Sequence, residues 1–115
     1  LLRRVTAVAW REEHVPELTI ALLHELATAA EMLARDLADG RDGAGAVPAL
    51  ERAGHASARV PVGAGLSPDV VLAQCRAMVV DLLQVAGLTE DDALRRLPPE
   101  HGRAAAEGTR PAVAD

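Results

Sequence analysis

Apolar side chains recur along this 115-residue chain at spacings of three and four, the period of a helix with one face turned inward. The clearest run covers residues 17–38. Leu18, Leu22, Leu26, Leu33 and Leu37 form a stripe, with Ala29 or Ala30 filling its gap. Ile20, Leu23 and Ala27 widen that stripe, and His24, Thr28, Glu31 and Arg35 form the opposite, wet one. Glu31 and Arg35 stand at the favourable i,i+4 spacing, worth about 0.3 kcal/mol. Gly40 is a stop signal just beyond the run.

Upstream, residues 1–13 predict a first helix, with Leu1, Val5, Val8 and Ala9 along one side. Pro16 lacks an amide hydrogen, so it either opens the next helix or kinks a longer one. Downstream, residues 39–46 are a glycine-rich turn. Residues 48–59 predict a short helix entered at Pro48 and weakened by Gly54, and residues 60–66 read as a linker rich in proline and glycine.

A second strong helix spans residues 67–86, with Ser67 as its expected N-cap, Pro68 at the first helical position and Asp69 at the positive end of the helix dipole. Gly87 ends it. Gln74, Asp81 and Gln84 share a narrow polar arc, and most of the remaining circumference is apolar. The pattern therefore predicts that this helix is the most buried, packed on two sides. Thr89 caps a last short helix over residues 89–97, followed by Pro98-Pro99.

The expectation is an all-α fold: a small antiparallel helical bundle over residues 1–97 with a glycine- and proline-rich central linker. Residues 98–115 carry little apolar content beyond Ala and Val and are expected to be a disordered tail. No period-two run suggests a strand, and no internal repeat is visible.

Composition narrows the chemistry. Half of the residues are apolar, but they are mostly Ala, Val and Leu; one Trp is the only aromatic besides four His. The net charge of −5, with no basic patch flanked by aromatics, disfavours nucleic acid as a partner. A single Cys excludes an internal disulfide framework and a cysteine-based zinc cluster. The most apolar stretch, residues 70–85, is interrupted by Arg76 and Asp81 and is too short to span a membrane.

Catalytic patterns fail one by one. His24-Glu25 resembles the start of a zinc-protease helix, but position 28, where the second His belongs, is Thr28. His14, His55 and His101 are scattered, so no metal site is expected. Cys75 lies in a predicted buried helix and reads as a small hydrophobe. Glu90, Asp91 and Asp92 are accounted for by the helix dipole. The glycines near Gly43 and Gly63 lack the Lys-Ser/Thr of a phosphate loop. No cofactor and no enzyme activity are expected.

Two charges stand out. Arg76 lies inside an apolar arc and Asp81 five residues on, too far round the helix to face it. A charge there is costly unless paired. Each is therefore expected to pair with another element, in a structural ion pair that fixes helix register; the functional alternative is that Arg76 contacts an acidic ligand or a partner domain.

The run Leu66-Ser67-Pro68, then Val71-Leu72-Ala73-Gln74-Cys75-Arg76, then Val79-Val80-Asp81-Leu82-Leu83-Gln84-Val85-Ala86-Gly87-Leu88, with Asp92-Ala93 and Leu97-Pro98, resembles the C-terminal part of actinobacterial fusaric-acid-resistance-type (aromatic acid exporter) membrane proteins. The resemblance covers about a third of the chain well. It implies a cytoplasmic helical part of a plasma-membrane efflux protein, supporting assembly or gating. The implied partner is the remainder of the same membrane protein, with a homo-oligomer possible. The absence of a starting Met is read as the mark of a segment of a larger protein. The alternative expectation is a free-standing helical dimerisation or interaction module. A small-ligand sensor or enzyme, with Arg76 reading an anion, ranks third.

Overall fold

The computed structural model describes the backbone of residues 2–100 and the side chains of residues 14–100. Within them the fold is all-α, and no strand occurs among the described residues. The helices are α1 (Leu2–Ala38), α2 (Val47–Arg59), α3 (Leu66–Val85) and α4 (Glu90–Arg96), with one 3-10 turn at Ala44–Ala46. The last fifteen positions, on which most of the expected tail falls, lie outside the described residues.

α1 is one continuous helix of 37 residues, roughly 55 Å long, so of the two alternatives at Pro16 the longer helix is the one that occurs, joining the separate spans 1–13 and 17–38. Proline removes one bond of the ladder. The buried stripe nevertheless runs past it in register, through Val15, Leu22, Leu26, Ala29 and Leu33. Pro16 itself is exposed, so its ring meets no neighbouring helix core. The wet stripe of His24, Thr28, Glu31 and Arg35 is exposed as expected. Ile20 and Leu23, expected to widen the inner stripe, are 67% and 45% exposed. Leu37 is also on the outside.

Both helix ends predicted from glycine are closed by the same device. After α1, the Arg41 amide donates to the Asp36 carbonyl and the Gly40 amide to that of Leu37. After α3, the Leu88 amide donates to the Leu83 carbonyl and the Gly87 amide to that of Gln84. Gly40 and Gly87 have positive φ, the left-handed cap that glycine adopts without Cβ strain. Gly43, in the α1–α2 turn, is needed for a second reason. A Cβ there would lie 2.7 Å from Leu33 Cδ1 and 3.3 Å from Ala86 Cα, so the turn is wedged between α1 and the end of α3.

α3 begins one residue before the expected cap. Gly65, not Ser67, is its N-cap, with no side-chain cap bond. The Asp69 carboxylate bends back to accept from the Gly63 amide at 3.1 and 3.2 Å, tying the linker to the first turn. Ser67 is left exposed. At α4 the expected cap holds: Thr89 Oγ1 accepts from the Asp92 amide at 3.2 Å.

α2 is the element packed most thoroughly, with Ala49, Leu50, Ala53, Gly54, Ala56 and Ser57 buried between α1 and α3. α3 buries one face only, through Leu72, Cys75, Val79, Val80 and Leu83. Val70, Val71, Met78 and Val85 are 40–53% exposed, so the two-sided packing expected of this helix does not occur. Among the described residues no further element reaches its outer face to cover it.

Alanine makes up a large share of the core, seven of its eighteen buried apolar residues among those described. Ala29, Ala46, Ala49, Ala53, Ala56, Ala86 and Ala93 are buried beside the larger Leu22, Leu50, Val79 and Leu83. Small side chains let helix backbones approach closely, at the expense of apolar area per residue.

Candidate functional site

Two features have chemistry beyond helix packing, and they lie on different sides of α3. The first is the arginine singled out by its place in an apolar arc. The Arg76 side chain is 11% exposed. Its Nη1 donates to Ser57 Oγ at 2.8 Å and its Nη2 to the Pro98 carbonyl at 2.5 Å. Its Nε stands 3.7 Å from a Glu100 carboxylate oxygen, which completes an ion pair. Burial pushes the arginine pKa down and Glu100 pushes it back up, burial being the stronger influence. From so high a starting value the group stays charged at neutral pH.

Ser57 is the pivot of this arrangement. It is the buried polar residue among those described, at 0% exposure. Its hydroxyl donates to the Gly54 carbonyl one turn back, at 2.6 Å, and so presents a lone pair to Arg76. Gly54, expected only to weaken α2, has a positive role. A Cβ there would lie 3.1 Å from Leu97 Cδ1 and 3.7 Å from Pro98 Cδ. The bare backbone makes room for the chain segment leaving α4. Residues 98–100, expected to begin a disordered tail, are therefore held against α2 and α3. The Arg96–Glu51 ion pair, at 2.7 Å, anchors the end of α4 to α2 beside them.

Asp81 is exposed, and no ion pair reaches it among the described residues. Arg76 and Asp81 are thus not brought together, and Arg76 takes its partners from α2 and the segment after α4. Ser57, Gly54, Pro98 and Glu100 were not picked out from the sequence. A mid-helix glycine followed three residues later by serine was the available signal.

The remaining candidates behave as apolar or solvated groups. Cys75 is buried and burial pushes its thiol pKa up, which suppresses the nucleophilic thiolate. His24 and His55 are exposed. His101 lies outside the described residues. Among the described residues, no three His, Cys, Asp or Glu side chains gather where they could hold a metal.

The second feature is a groove of about 390 Å³ between α1 and α3, lined by Val15, Pro16, Thr19 and Ile20 on one side and Ser67, Pro68 and Val71 on the other. Its polar side chains are two hydroxyls, those of Thr19 and Ser67. Ile20 is 67% exposed and Val71 40% exposed along it. Leu23, Leu66 and Val70, all more than 40% exposed, extend the apolar surface beyond its ends. The groove has the shape and apolar lining that suit a hydrophobic side chain or short helix face, and it offers no acid–base pair. No helix among the described residues is long and apolar enough to cross a membrane. No protein-family model, no curated protein and no solved structure matches the chain.

Proposed function

We propose that this chain is a helical interaction domain that docks apolar surface through the α1–α3 groove. We propose further that it serves as a cytoplasmic part of a fusaric-acid-resistance-type efflux protein, supporting assembly or gating. The observation that carries the first step is the groove with its exposed Ile20 and Val71, on helices that also expose Leu23, Leu66 and Val70. Covering a leucine- or isoleucine-sized side chain contributes about 1.5–3 kcal/mol, so a handful of such residues supports a specific contact. The part-buried charge of Arg76 is already engaged by Ser57, Pro98 and Glu100, which argues against its reading a free small anion.

The second step rests on the resemblance between residues 66–98 and the C-terminal part of those exporters. Arg76, Val79, Val80 and Leu83 of that motif are residues that this bundle uses for its own packing. The partner is then the remainder of the same membrane protein.

The test has two arms. An Ile20→Glu, Val71→Glu variant changes exposed positions, so it is expected to keep its helical content and unfolding midpoint while losing association with the remainder of the protein in a pull-down. Unchanged association would refute the docking surface. The reading frame upstream of Leu1 is expected to encode apolar spans; a start codon within a few residues of Leu1 would refute the exporter assignment. Sedimentation of the isolated chain as a stable dimer would favour the dimerisation module in its place.

A further inference from the structure

The segment Leu97–Glu100 sits on α2 and α3 as a ligand sits on a receptor. Leu97 is half-buried, and its Cδ1 lies over Gly54, where a Cβ would come within 3.1 Å. The backbone there is extended, with Leu97 at φ −90° and ψ 114°. Pro98 and Pro99 have no amide hydrogens, so this stretch can be recognised through its carbonyls and side chains only. Arg76 supplies the matching donors: Nη2 to the Pro98 carbonyl, and Nε facing the Glu100 carboxylate.

One of the three contacts of Arg76 comes from α2 and does not involve the segment. Ser57 is fixed by its own bond to the Gly54 carbonyl and holds Arg76 Nη1 in place. Bare helix backbone at Gly54, an apolar wall at Val79 and the guanidinium held by Ser57 together form the surface on which the segment lies. Arginine in such a fixed frame selects for a carbonyl and a carboxylate at once.

We propose that this seat on α2 and α3 is a peptide-binding site plugged by the chain's own Leu97–Glu100. Its ligand in trans is an extended segment of a partner polypeptide with the same chemistry: leucine, then proline, then an acidic residue two positions on. The site is independent of the α1–α3 groove, because Arg76 and Val71 are five residues apart and so about 140° apart around α3. The plug competes at the high effective concentration of a tethered segment, on the order of millimolar. An incoming segment gains access when the plug is weakened or when it makes additional contacts.

The test uses the full chain and a synthetic peptide of residues 94–101 with blocked ends, followed by NMR titration. In a Leu97→Ser, Glu100→Gln variant, the peptide is expected to shift amide resonances around Gly54, Ser57 and Arg76 at millimolar concentration or below. In the wild-type chain the apparent affinity is expected to be at least twofold weaker. A peptide with its glutamate replaced by glutamine is expected to bind several-fold more weakly, and adding Arg76→Met to the variant is expected to abolish the shifts. If the double substitution disturbs the fold, Glu100→Gln alone serves, with a smaller but measurable gain in affinity. No shifts at the seat at several millimolar peptide, or equal shifts in the wild-type and weakened chains, would overturn the proposal. A concentration-dependent dimer of the wild-type chain, lost in Arg76→Met, would overturn the assignment to a partner polypeptide, since a second copy would then fill the seat.

Discussion

Ser57→Ala is expected to destabilise the bundle more than Arg76→Met, although serine is the smaller and less charged of the two. Consider what each substitution leaves behind. Removing the arginine leaves Ser57 Oγ still donating to the Gly54 carbonyl, so the buried hydroxyl stays satisfied. Pro98 is half-buried and the Glu100 side chain is 25% exposed, so water can reach both. Methionine replaces much of the arginine's aliphatic stem, and the cost of burying a guanidinium disappears. The lost charge-assisted bonds and the relieved desolvation are of similar size, which puts Arg76→Met within about 1 kcal/mol of the wild type. Removing the serine instead leaves Nη1 in a side chain only 11% exposed with its acceptor gone. An unsatisfied donor of this kind costs about 1–3 kcal/mol; the remaining exposure puts the expectation near the middle, at about 1.5 kcal/mol. On the Arg76→Met background no donor is left, so Ser57→Ala is expected to cost only a few tenths, a coupling of about 1 kcal/mol. Urea unfolding followed by helical circular dichroism measures all four corners of the cycle, with about 1 M or less of midpoint shift per kcal/mol for a chain of this size. Additive costs, or an Arg76→Met loss above about 3 kcal/mol, would refute the reasoning and make the guanidinium itself a net stabiliser.

Other substitutions separate buried from exposed positions. Leu83→Ala, at a side chain with 0% exposure, is expected to cost about 2–5 kcal/mol, whereas Ile20→Ala, at 67% exposure, is expected to stay within about 0.5 kcal/mol, both read from the same urea transitions. The Asp92 carboxyl is held below the usual carboxylate range by Arg95, and then by Thr89. Its contribution is therefore present above about pH 4 and lost as acid protonates the folded carboxylate, so the melting temperatures of wild type and Asp92→Asn should converge below that pH. Cys75, with its pKa raised by burial, favours the folded state while it is a thiol, and that contribution is expected to fade as pH rises above about 8.5. At neutral pH its reaction with a thiol-specific dye is expected to be limited by unfolding; rapid labelling of the native chain would contradict its burial.

The sequence made the helices legible because their signals are local. Gly40 and Gly87 close helices as predicted, Thr89 caps α4, and the three-and-four spacing of Leu22, Leu26, Ala29 and Leu33 marks the inner face of α1. Burial was harder to read where both flanks of a helix are apolar. Ile20 and Val71 have the same residue types as core positions, and only the number of neighbouring elements decides that they face outward. The break at Pro16 was overestimated because a single lost ladder bond is outweighed by turns that continue on both sides. Arg76 could be recognised as needing a partner, since cost follows from its place in the arc. Which partner it takes could not, because Ser57 and Glu100 stand 19 and 24 positions away in a chain where spacing carries no information across loops. Asp81 shows the converse: a charge on a largely apolar helix needs no partner once its side of the helix meets water.

The buried alanines Ala29, Ala46, Ala49, Ala53, Ala56, Ala86 and Ala93 have little to lose by truncation and little room for growth. Alanine becomes valine by one nucleotide change, and each added pair of methyls would have to push apart helices that already touch, at about 1–3 kcal/mol. Harmful drift at these alanine positions should therefore be skewed toward enlargement, with several conservative-looking alanine-to-valine exchanges sufficient to exhaust a folding margin of ordinary size.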